Sequence, residues 1–127
     1  MNIQLESISN IEAALDKFGF IETGNPQIPV IGRIIIGTAQ KDDSLKMIVL
    51  EIGLEPAEGD KHEWYWEISL NDESTTEYVS KVHNTGFTTY FRPSCAACSV
   101  VPMEFHGGTL KDFSGLIIND IKRNFID

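Results

Sequence analysis

Both cysteines of the 127-residue chain lie in one stretch, RPSCAACSVVP, as Cys95 and Cys98. Taken with His83 and His106 they give the spacing H-x11-C-x2-C-x7-H, and two thiolates with two imidazoles are a legitimate tetrahedral zinc set. The spacings around the histidines match no common zinc-finger pattern, however, and only Ala96 and Ala97 separate the cysteines. A redox Cys-x-x-Cys needs to open a helix whose dipole lowers the pKa of the first thiol. Here the pair falls between two strand-like segments that leave no room for such a helix. The expectation is therefore two reduced structural thiols, with no metal and no cofactor.

The other residues with chemistry to offer are carboxylates. HEWYWEISL, residues 62–70, alternates strictly, placing Trp64, Trp66, Ile68 and Leu70 on one side of a strand and Glu63, Tyr65, Glu67 and Ser69 on the other. A glycosidase-type acid/base pair needs two carboxyls about 5–9 Å apart. Glu63 and Glu67, four residues apart on a strand, stand about 13 Å apart, so that chemistry fails on distance unless one of them pairs with a residue from elsewhere. A tyrosine between two carboxylates instead suits an Arg- or Lys-rich partner. Neither a nucleophile elbow, a P-loop nor a dinucleotide fingerprint is present, and Gly107-Gly108 before a helix is too little to define an anion site. No enzymatic activity is expected.

The charge supports a binding role. Ten Lys and Arg against nineteen Asp and Glu give −9, and the imbalance is local: residues 1–40 carry −2, residues 41–80 carry −8 and residues 81–127 carry +1. Such a field repels phosphate backbones and anionic lipid and attracts basic proteins. Neither nucleic acid nor membrane is expected as a partner, and the candidate partner-binding residues are Glu55, Glu58, Asp60, Glu63, Tyr65, Glu67, Asp72, Glu73 and Glu77. The N-terminus has neither a basic leader nor a long apolar run, so a cytoplasmic protein is expected.

The elements that must position these residues follow from periodicity. Ser9-Asn10-Ile11-Glu12 has the pattern of a capping box, and Ile8, Ile11, Leu15 and Phe18 recur at helical spacing up to Gly19, predicting a helix over 9–18. Ile3 and Leu5 either extend it backward or form a short edge strand. GNPQIP, residues 24–29, reads as a loop. Val30–Thr38, Leu45–Ile52 and Glu63–Leu70 form a three-stranded meander, in which Met47-Ile48-Val49-Leu50 reads as a central strand covered on both faces. Asn71 to Ser74 offer helix caps ahead of Tyr78, Val79 and Val82, predicting a short helix, with a strand through 76–82 as its rival. Strands over Phe87–Phe91 and Ser99–Phe105 and a closing helix from Leu110 to Phe125 complete the order α-β-β-β-α-β-β-α. The fold class is α+β: one domain, residues 1–127, with an antiparallel sheet of about five strands and two or three packed helices.

In its size, acidic middle third and lack of catalytic signature, the chain resembles the immunity proteins of contact-dependent growth inhibition and related systems. The residues carrying the likeness are Asp42, Asp43, Glu51, Glu55, Glu58, Asp60, Glu63, Tyr65, Glu67, Asp72, Glu73 and Glu77. The resemblance implies a basic protein partner, a secreted nuclease toxin domain whose active site is masked. The closing stretch SVVPMEFHGGTLKDFSGLIINDIKRNF, strand, glycine turn and helix, is also similar to type III secretion chaperones, which implies a dimer holding an unfolded effector segment. HEWYWEISLNDE stands where those chaperones carry a longer, leucine-rich dimer helix.

Overall fold

The structure is a computed structural model that describes residues 1–17, 19–20, 28–29, 31–93 and 100–126, with the side chains of 19, 20, 28, 91–93 and 100–103 excepted. The order is β1 (Asn2–Leu5), α1 (Ile8–Asp16), β2 (Gly19–Phe20), β3 (Ile28–Pro29), β4 (Gly32–Lys41), β5 (Ser44–Pro56), β6 (Lys61–Asn71), β7 (Thr76–Val82), β8 (Thr88–Pro93), β9 (Val100–His106) and α2 (Leu110–Phe125). The α+β class holds. The main sheet is antiparallel, runs β1-β4-β5-β6-β8-β9 with β7 added to β6, and curls into a half-barrel around the helices. It has seven strands rather than about five, and the described helices number two.

The meander forms because its three strands alternate in phase. Ile48, Leu50, Ile52 and Leu54 of β5 lie opposite Leu70, Ile68, Trp66 and Trp64 of β6, and all of them except the partly covered Leu54 are buried. Helix α2 lays Phe113, Ile117 and Ile121 on this floor, and α1 adds Ile11 and Leu15. Each such side chain contributes about 1.5–3 kcal/mol through removal from water. Phe113 is the centre of an aromatic cluster, its ring 5.2–6.3 Å from those of Phe87, Trp66, Phe105 and Trp64. β4 keeps in step through a bulge at Ile36, which turns that side chain into the core while Ile35 faces out. The hairpin from β4 to β5 closes on Asp42 and Asp43, both at positive φ, as the tight two-residue turn requires.

Three expectations are corrected. The cap of the first helix lies two residues earlier than expected. Ser7, not Ser9, accepts the N–H of Asn10 at 3.1 Å, and Ile3 and Leu5 form the edge strand β1. The helix ends at Asp16 with Lys17 as its cap. The short helix expected after Asn71 does not form; its rival, a strand through 76–82, does, as β7. Asp72 does cap N–H groups, those of Ser74 and Thr75 at 2.8 Å, but it closes a turn between β6 and β7 rather than opening a helix. β7 carries a bulge beside Ile68 and Ser69; the extra residue, Val79, packs against the core and gives Tyr78, Val79 and Val82 their helix-like spacing. Finally, β5 is covered on both faces only in part, since Val49 is buried and Met47 is exposed. Of the expected loop 24–29, Ile28 and Pro29 pair with Gly19 and Phe20; the rest lies outside the described residues.

Candidate functional site

With both helices on the inner face, the outer face of β4-β5-β6-β7 carries the side chains left over by alternation. The strand register arranges them in rows. Ile35, Val49, Ser69 and Tyr78 form an apolar row. Beside it runs a charged row, Arg33, Glu51, Glu67 and Lys81, with signs plus, minus, minus, plus. Next come Gly53 and Tyr65, then Glu55 and Glu63. Two glutamate pairs, Glu51 with Glu67 and Glu55 with Glu63, therefore oppose each other across neighbouring strands. Like charges so placed work against a sheet.

His83 answers part of this repulsion. One edge of β6 is shared, with β7 pairing along its residues 66–71 and β8 along 61–63. The chain crosses between them pinned to β6: Thr85 Oγ1 donates to the Trp64 carbonyl at 2.6 Å, Trp64 N–H donates to the Phe87 carbonyl at 2.8 Å, and Gly86 N–H donates to Glu63 at 3.2 Å. Leaving β7 at this fork, His83 reaches the outer face. Its Nδ1 lies 2.8 and 2.9 Å from the two carboxylate oxygens of Glu55, and its Nε2 lies 2.8 Å from Glu67. The ring stacks on Tyr65 with centroids 4.6 Å apart and planes 8° from parallel. Tyr65 lies flat because residue 53 is glycine; a Cβ there would overlap the tyrosine ring and hydroxyl.

The electrostatics follow from these contacts. The hydrogen bond to Glu67, opposed by partial burial and reinforced by Glu55, raises the pKa of His83. Partial burial, then the charges of Glu51 and Glu67, raise that of Tyr65, whose hydroxyl donates to Glu51 at 3.4 Å. Arg33 Nε approaches the same carboxylate at 3.6 Å.

The structure thus brings together Glu55, Glu63, Tyr65 and Glu67 of the candidate residues, and adds Glu51, Arg33 and His83. It separates the others. Asp72 sits at the far end of β6 and is bound by Lys46 at 2.7 Å; that ammonium, with the N–H groups of Ser74 and Thr75, holds its carboxyl far below the ordinary range. Lys41 grips both oxygens of Glu77 at 2.8 Å. Both acids are thus paired with lysines of the same chain, away from the Tyr65 and His83 rings. Glu58 and Asp60 are exposed on the β5–β6 connection and Glu73 on the β6–β7 turn. Cys95 and Cys98 lie outside the described residues. Of the other two members of the zinc set, His83 is held by Glu55 and Glu67, while His106 Nε2 lies 2.9 Å from Glu104. Among the described residues no group of three or more His, Cys, Asp or Glu is disposed to hold a metal ion, and no helix is long and apolar enough to cross a membrane.

The role of His83 was hidden in the sequence, since nothing in its spacing from Glu55 or Glu67 signals a contact that depends on β7 being a strand. No protein-family model, no curated protein and no solved structure matches the chain.

Proposed function

We propose that the chain is a non-enzymatic binding protein that docks a basic protein domain on the outer face of its sheet, in the manner of an immunity protein masking a cationic secreted toxin. The observation that carries this reading is the set of four glutamates, Glu51, Glu55, Glu63 and Glu67, gathered around the Tyr65 and His83 rings. Two cross-strand pairs of like charge persist there although they work against the sheet, and a partner's Arg and Lys side chains would relieve them. An apolar region adjoins the acids: Ile35 is 61% exposed, Leu45 56%, Tyr78 51% and Met47 39%. Apolar contact area beside complementary charge is the composition of a specific interface, the first contributing affinity and the second on-rate and orientation.

The test takes as partner the basic domain that, on this reading, the reading frame next to this chain's gene is expected to encode. Titration of the two purified proteins is expected to give a one-to-one complex whose association slows with salt. Replacement of Glu63 and Glu67 by lysine is expected to lower the association rate steeply and flatten that salt dependence. Binding by the parent chain that ignores salt overturns the electrostatic account.

A further inference from the structure

We infer that His83 is a proton-controlled latch on the acidic face: its imidazolium ties down Glu55 and Glu67, and loss of its proton frees a carboxylate for a cationic partner. The inference rests on the docking reading above, to which it adds regulation.

Both ring nitrogens of His83 face carboxylate oxygens at hydrogen-bond distance. A neutral imidazole carries a single N–H, so in that form one nitrogen would turn its lone pair onto an anionic oxygen 2.8–2.9 Å away. The arrangement requires the doubly protonated ring. Among the described residues, the charged and titratable groups around it are Glu51 and Glu55 from β5, Glu63, Tyr65 and Glu67 from β6, Arg33 from β4, and Lys81 from β7, the strand it leaves. Arg33 is directed at Glu51 and the Lys81 ammonium lies over the Tyr78 ring, 4.1 Å from its centroid. His83 is left as the counter-ion that bridges Glu55 and Glu67.

Its neighbours raise its pKa from the ordinary 6.5, which carries the event toward neutral pH. Below that value the latch is closed. Above it the ring retains one carboxylate and releases the other. Glu55, 34% exposed against 15% for Glu67 and set opposite Glu63, is the one released. The face then gains one negative charge where a cation approaches, so a basic ligand binds more tightly as pH rises and expels a proton when it binds at lower pH.

Two measurements test this. The first is NMR titration of the His83 ring in the parent chain and in Glu55→Gln and Glu67→Gln. A midpoint above 6.5 that falls in both variants is expected; a midpoint at or below 6.5 in the parent, or one unmoved by either substitution, overturns the latch whatever the face binds. The second is titration with a capped peptide of six arginines at pH 6.0 and pH 8.5. One extra charge a few ångströms from a guanidinium in a water-exposed site gives a gain on the order of three- to tenfold at the higher pH. The same titration of His83→Gln is expected to show no such gain. An equal gain in His83→Gln assigns the pH dependence to other groups and overturns the control of binding by His83. Absence of peptide binding at both pH values defeats the docking reading and the regulation with it, while the ring titration still decides whether the latch exists.

Discussion

Tyr65 of β6 and His83, just past the end of β7, stack face to face at 4.6 Å above the bare backbone of Gly53. The stack depends on that glycine. In Gly53→Ala the new methyl meets the free end of the Tyr65 side chain, which can swing into solvent, so stability is expected to change by no more than about 1 kcal/mol. The ring-current shift of Tyr65 on the His83 ring protons should be lost, and NMR of the variant beside the parent reads both effects.

Asp120 anchors the closing helix to the sheet. It is 2% exposed and accepts the Trp66 indole N–H at 2.9 Å, the Ser80 hydroxyl at 2.6 Å and the Arg123 guanidinium at 2.7 Å. Asp120→Ala leaves the indole and hydroxyl without their acceptor, and a loss of about 2–3 kcal/mol is expected, read as a lower urea midpoint at unchanged slope.

The same residue sets an acid dependence. Burial works against its charge, but the hydrogen bonds from Ser80, Arg123 and Trp66 outweigh it and lower its pKa from 3.8. A lowered carboxyl contributes stability that is present above the unfolded-state value and is lost as pH falls through the folded-state value. Asp120→Asn should therefore lose less stability than the parent between pH 5 and pH 2, which urea melts across that range measure.

His83 has the opposite sign. Its raised pKa contributes stability that is fully present below 6.5 and is lost as pH rises through the folded-state value. The parent should lose stability relative to His83→Gln between pH 6 and pH 9, and parallel urea curves that keep a constant gap would contradict this.

Phe113 is packed among four other aromatic rings. Phe113→Ala is expected to cost about 3–5 kcal/mol, and calorimetry should show either a much lower melting temperature or no cooperative transition.

Local patterns made most of this fold readable. HEWYWEISL announced both its buried and its outer face because nothing interrupts its alternation, and Leu110, Phe113, Leu116, Ile117, Ile121 and Phe125 marked α2 as amphipathic, although Leu116 is exposed. Where the chain deviates from regular geometry the reading failed. The bulge at Val79 put an extra apolar residue into β7, and Asp72 looked like a helix cap because the same side chain that caps a helix also closes a turn. The candidate site was half legible: Glu63, Tyr65 and Glu67 share one strand face, but Glu51, Arg33 and His83 join them only through strand pairing. The lysine partners of Asp72 and Glu77 were not legible, because charge counted along a sequence does not show which lysines the fold brings to it.

The most direct measurement of the central claim is the association rate of the chain with the basic partner domain proposed for it, as a function of salt, for the parent and for Glu63→Lys/Glu67→Lys. Docking on the acidic face predicts a parent rate that falls by at least tenfold between 0.02 and 0.5 M salt and a variant rate that is lower and nearly flat. Equal rates and equal salt slopes for the two proteins would contradict it.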